Sequence, residues 1–144
     1  MAEVLRVVDK LEDLVKAFVV RGIVFCGEQG ISYTLERDGL DASALHVLAE
    51  VDGEPAAAGR IRFAGGFAKL ERIAVRKPYR GRRLGRRLTE FMVSEAREKG
   101  FTKCKLHAQV QLEKFYEAHG FRREGTPFLE AGIKHCLMVR EDRG

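Results

Sequence analysis

Residues 71–88, ERIAVRKPYRGRRLGRRL, constrain the fold of this chain more than any other stretch. An apolar, strand-like run at 73–75 enters a turn at Pro78. Gly81 and Gly85 then lead into a helical pattern carried by Leu84 and Leu88. A strand that ends in a glycine turn before a helix exposes backbone N–H groups, and the positive end of the helix dipole adds to them. Such a unit suits an anion, above all a phosphate or pyrophosphate. Seven cations crowd the turn (Arg76, Lys77, Arg80, Arg82, Arg83, Arg86 and Arg87), with no acid among residues 76–87. The chain carries +5 and this segment +7, so the remainder sums to −2. The basicity is local, which argues for one bound polyanion over a broad nucleic-acid face, with a solvated basic surface as the plain alternative.

The 144 residues make one domain, 1–144, long enough for a real core. Three scattered cysteines, Cys26, Cys104 and Cys136, lack C-x-x-C spacing, so neither a disulfide framework nor a zinc site follows, and a cytoplasmic location is expected. No stretch has the apolar length of a signal peptide or a membrane span. Residues 3–8 predict a strand. After Asp9, Leu11, Leu14, Val15, Phe18 and Val19 recur at helical spacing, so a helix is expected to about residue 25. Residues 27–41 show no sustained period and read as a loop, with a short helical turn near Glu28. Strands at 44–51 and 56–63 flank Asp52-Gly53, and Gly65-Gly66 turns the chain into a strand at 67–75. A helix at 83–99 presents Leu84, Leu88, Phe91, Met92 and Ala96 on one face and ends at Gly100. A strand at 102–108, a short helix at 110–118 and strands at 120–125 and 133–140 complete a mixed α/β domain.

That order, together with R-G-R-R-L-G at 80–85 and F-Y-E-A-H-G-F at 115–121, resembles the GNAT family of acetyl-CoA-dependent N-acetyltransferases. The family writes its turn [Q/R]-x-x-G-x-[G/A]; Arg80 and Gly85 match its ends, and Arg83 stands where the middle glycine is usual. Residues 20–30 (VRGIVFCGEQG), 35–41 (LERDGLD), Ala108-Gln109 and 132–138 (GIKHCLM) are similar to the ElaA/YjcF-like branch. The resemblance implies an α/β (α+β) fold, a mixed and mostly antiparallel sheet of six to seven strands flanked by about four helices. It also implies transfer of acetyl from acetyl-CoA to a primary amine by direct attack, with no metal.

Carried over residue by residue, the resemblance places the pyrophosphate on Arg80, Gly81, Arg82, Arg83, Leu84, Gly85 and Arg86. Pantetheine lies along the backbone of Ile73, Ala74 and Val75, with one N–H, that of Val75, polarising the thioester carbonyl. Arg83 is tolerated if it already has helical backbone angles and crowds the phosphate if not. Tyr116 matches the tyrosine near the sulfur, as general acid or thiol orienter; on periodicity alone it is a core aromatic. Glu71 is the candidate base, sharing a face with Ile73 if no bulge intervenes, with a water relay as the alternative. Gln109 is placed to bond pantetheine or simply to begin a helix. His107 and His135 flank the presumed cleft as acceptor-site groups. Glu36, Asp38 and Asp41 either attract a cationic amine or form a solvated loop. The acceptor is a small-molecule or peptide amine, and a homodimer is compatible with an exposed terminal strand pair. A catalytically weak acetyl-CoA sensor, or a nucleic-acid module lacking interleaved aromatics, are the competing readings.

Overall fold

The computed structural model describes residues 2–142. Seven strands form one sheet in the order β1-β2-β3-β4-β5-β7-β6. They are β1 (Glu3–Val7), β2 (Leu45–Val51), β3 (Glu54–Ala64), β4 (Phe67–Val75), β5 (Lys103–Gln109), β6 (Arg122–Glu130) and β7 (Ile133–Glu141). All neighbours pair antiparallel except β4 and β5, whose parallel register holds only Ala68 opposite Cys104 and Lys69 opposite Lys105. The helices are α1 (Leu11–Arg21), α2 (Tyr33–Glu36), α3 (Leu84–Glu98) and α4 (Glu113–Glu117). The mixed, mostly antiparallel sheet with about four helices is the architecture expected from the sequence. No described helix is long and apolar enough to cross a membrane.

Local chemistry explains the hairpins. Asp52 and Gly53 have φ of 51° and 82°, and Gly65 and Gly66 have 61° and 80°, as two-residue turns between right-twisted strands require. Helix α3 buries Leu84, Leu88, Met92 and Ala96 at a spacing of four, together with Val93, against Ile61, Leu70 and Leu106. It ends where Gly100 turns left-handed at φ 89° and Phe101 N–H returns to the Ala96 carbonyl.

Helix α1 departs from its apolar pattern. Leu11, Val15, Phe18 and Val19 lie exposed, while Asp13, Ala17, Val20 and Arg21 face the sheet. The inward charges are paired: Asp13 with Arg6 of β1 at 2.9 Å, and Arg21 with Glu36 at 2.9 Å and Asp41 at 2.8 Å. Small Ala17 and Val20 pack on Leu48, Ala58 and Ala74. The chain then continues as a π-helical segment, Gly22–Glu28, where a plain helix was expected to about residue 25.

Arg60 of β3 has no solvent exposure and sits on the α1 face. Its guanidinium meets Asp38 at 2.7 Å, Asp41 at 2.9 Å and Glu71 at 3.1 Å. The 36–41 segment, lacking a hydrophobic pattern, is docked by charge instead. Arg60→Met leaves those carboxylates short of a partner. Because Arg21, Arg62 and Arg72 still reach them, the expected loss in urea unfolding is about 2–3 kcal/mol, below the full cost of orphaning a buried charge. The same network sets an acid limit. The hydrogen bond from Arg60 holds the Asp38 carboxyl far below the usual range. A depressed carboxylate stabilises the fold above its unfolded pKa, near 4, and that stability drains as pH falls toward its folded value. Melting temperature should therefore drop steeply below about pH 4, and Asp38→Asn should flatten that drop.

Candidate active site

The sheet opens where β4 and β5 separate. Beyond Lys69 and Lys105 the two strands no longer pair, so the main-chain groups of Ile73, Ala74 and Val75 that point away from β3 have no strand partner. A bulge sharpens the separation: Ala58 faces Ala74 and Arg60 faces Glu71, which leaves two β4 residues opposite Gly59. One of them, Arg72, has φ 54°. A cavity of about 370 Å³ lies in the opening, within the usual range for small-molecule sites. Its walls include Lys69 to Ile73 of β4, Leu106 to Gln109 of β5, Phe25, Ile31, Leu35, Tyr116, Glu130 and His135.

The bulge corrects one expectation. Leu70 belongs to the α3-side core and Ala74 to the α1-side core, so strand parity is inverted between them. Glu71 thus does not share a face with Ile73, which packs on the α3 side. Glu71 is also engaged, with Arg62 at 2.5 Å, Arg60 at 3.1 Å and Lys69 at 3.4 Å. Burial would raise its pKa, but the Arg62 hydrogen bond and the charges of Arg60 and Lys69 outweigh that and hold it below the normal value. A carboxylate so held is a weak proton acceptor. Glu36, Asp38 and Asp41 are likewise consumed by Arg21, Arg60 and Arg72, so they are neither a solvated loop nor a free anionic lure.

Tyr116 of α4 is buried and lines the cavity, and its phenol hydroxyl makes no hydrogen bond with the described residues. Burial pushes its phenol pKa up, so it stays protonated across the physiological range. It packs edge-on against Phe115 and Phe121, which fix the ring. Gln109 reaches the cavity but bonds Gln29 at 3.0 Å and Gln111 at 2.7 Å. His107 and His135 come together around Glu130, which sequence reasoning missed. The Ala131-Gly132 turn that returns Glu130 toward them is a weak hairpin signal, because Ala131 must adopt φ 51°.

The glycine turn forms as expected, but its cations are less free than their number suggests. Arg80 donates to the Val75 carbonyl at 2.8 Å and pairs with Glu28 at 2.8 Å. Arg86 pairs with Glu90 at 3.2 Å, and Arg87 with Glu3 at 2.5 Å. Arg82 lies over the Tyr79 ring. Leu84 is buried, so only its backbone is available to a ligand. Gly81 has φ 83°, and a Cβ on Gly85 would lie 3.5 Å from Val75 Cγ2. Arg83 forms no side-chain hydrogen bond or ion pair with the described residues and is exposed. Its backbone is left-handed, φ 61° and ψ 21°, at the N-cap of α3. The helical angles that would excuse a side chain are absent; Arg83 adopts the strained conformation that suits glycine.

Arg83→Gly relieves that strain and loosens the unfolded chain, so the two terms offset to within about 1 kcal/mol. Arg83→Val, a branched residue at φ 61°, should destabilise by about 1–2 kcal/mol relative to the glycine variant in thermal or urea unfolding.

The β4 edge leads from the cavity, which Tyr116 lines, toward the glycine turn that follows the strand. The family model described as acetyltransferase (GNAT) domain matches residues 24–141. The chain is 39% identical to the uncharacterized protein YyaT of Bacillus subtilis over 90% of its length and 89% of that protein's. It is 36% identical to the uncharacterized N-acetyltransferase YjcF of the same organism, over 90% and 94%. The crystal structure of an acyl-CoA N-acyltransferase from Pseudomonas aeruginosa superposes with a TM-score of 0.88 at 28% identity, covering 96% of this chain and 99% of that one. The chain belongs to the GNAT acetyltransferase family.

Proposed function

We propose that this protein is an N-acetyltransferase of the ElaA/YjcF-like branch, transferring the acetyl group of acetyl-CoA to a primary amine by direct attack. The observation that carries this reading is the unpaired β4 edge at residues 73–75, which runs from the cavity to the glycine turn. Pantetheine adds to that edge as a further strand would, and the pyrophosphate meets the N–H groups at the start of α3. At the turn Gly81 carries no side chain, and Arg83, whose left-handed backbone is that of the glycine usual there, brings a guanidinium with no hydrogen bond or ion pair to the described residues that is available to a phosphate. Similarity to YjcF over nearly the whole of both chains supports the branch.

When bound, acetyl-CoA supplies the activated thioester. The chain's own residues orient it and manage protons. An N–H of β4, that of Val75, polarises the carbonyl. Tyr116, protonated and with its hydroxyl unbonded among the described residues, donates to the departing sulfur. Glu71 holds Arg60 and Arg62 in place beneath the acceptor side, and Gln109 borders the pantetheine path. Tyr116 on the cavity wall favours catalysis over a sensor, which has no use for a proton donor there. The acceptor is a small-molecule or peptide amine taken from the cytoplasm.

Thermal unfolding with acetyl-CoA at about 100 times its dissociation constant should show stabilisation of about 2.7 kcal/mol, a shift of several degrees. A DNA duplex at matched phosphate concentration should give none; the reverse pattern rejects the assignment. Tyr116→Phe is expected to lower turnover by about tenfold or more with acetyl-CoA affinity nearly unchanged. Gly85→Glu should abolish the acetyl-CoA shift.

A further inference from the structure

We infer that His107 is the general base for the acceptor amine and that Glu130 is its positioning residue, an assignment resting on the N-acetyltransferase reading above. His107 Nδ1 lies 2.9 Å from Glu130 Oε1. An ionised carboxylate only accepts, so Nδ1 carries the proton. In the neutral ring Nε2 is then the free base, and it makes no hydrogen bond with the described residues. The ring lines the cavity and is held from its side by the edge-on Phe128 ring at 4.9 Å. The hydrogen bond from His107 keeps Glu130 below its usual pKa, consistent with a carboxylate that stays charged beneath the imidazole.

His135 is a less suitable base. Its Nδ1 donates to the Ile133 carbonyl at 2.6 Å, which leaves Nε2 with a free lone pair, but that nitrogen faces Glu130 Oε2 at 3.7 Å and the side chain is 10% exposed against 29% for His107. The other charges on this cavity are Lys69 and Glu71 of β4, Arg62 of β3, and Arg72 with Glu36 and Asp38. The four carboxylates other than Glu130, counting Asp41, are tied into ion pairs with cations, so the choice of base falls between the two imidazoles, and His107 is the more exposed of them.

In the reaction, His107 Nε2 takes one proton from the ammonium, and the neutral amine nitrogen attacks the thioester carbonyl. The C–N bond forms and the C–S bond breaks. The second nitrogen proton replaces the one Tyr116 gives to sulfur, and the proton on His107 leaves to solvent, so the products are amide, thiol and one released proton.

The test compares two acceptors, propylamine, which is protonated at neutral pH, and trifluoroethylamine, which is largely neutral there. His107→Gln should lose about a hundredfold in kcat/KM with propylamine and keep most of its rate with trifluoroethylamine. Equal losses with both amines, or no loss with either, overturn the assignment. Glu130→Leu, which removes the acceptor of the Nδ1 proton, should lower kcat/KM with propylamine far more than with trifluoroethylamine; equal losses with both amines also count against it. Imidazole nitrogen NMR shifts of the free protein provide a readout without turnover: Nδ1–H is expected on neutral His107, and an Nε2–H tautomer overturns the proposal. Absence of the acetyl-CoA thermal shift in the wild-type protein would instead sink the acetyltransferase reading itself.

Discussion

The guanidinium of Arg60, buried in the sheet, is the centre of the ion pairs that hold the 36–41 segment against β3 and β4. Its two terminal nitrogens reach Asp38, Asp41 and Glu71, while its Nε has no partner. Asp41 is shared with Arg21 of α1, and Glu36 joins Arg21 to Arg72 of β4. Desolvating so many charges is expensive, and it is offset only because nearly every oxygen finds a donor. The result is a rigid wall. A segment too polar to bury itself is held over the cavity by geometry that admits few alternatives.

The β4 bulge and this network support each other. The bulge gives Arg72 a left-handed backbone and aims its guanidinium at Glu36 and Asp38, and those contacts retain the bulge. The same irregularity inverts the strand's parity, so Glu71 joins the charged layer while Ile73 and Val75 join the α3-side core. It also lies just past the end of the β4–β5 pairing. The cleft is therefore what remains when a sheet stops closing, and one interruption sets both the open β4 edge and the charged wall beside it.

Much of this was legible in the residues. The hairpins at Asp52-Gly53 and Gly65-Gly66, the four-residue spacing of α3 and its stop at Gly100 express local rules that tertiary contacts do not overrule. Helix α1 was misleading because its inward face is built from ion pairs and small residues. Periodicity assigns the apolar stripe to the core, but Asp13 and Arg21 had partners on β1 and in the 36–41 segment that no local pattern announces. The basic turn was found, yet its apparent surplus was overstated, since Glu3 and Glu28 from distant segments and Glu90 one helical turn on answer three of its cations.

By itself the sequence determined the order of elements, the glycine turn at the head of α3 and the tyrosine that reaches the cleft, because each rests on short-range sterics or a compact motif. Only the tertiary structure decided which charges are spent and which remain. Glu71 became a structural anion when three cations converged on it, Arg83 proved to hold a left-handed backbone, and Glu130 met His107 through a hairpin with little turn chemistry to reveal it. Ion pairs between distant residues and the parity of a bulged strand depend on three-dimensional register, which a linear pattern does not encode.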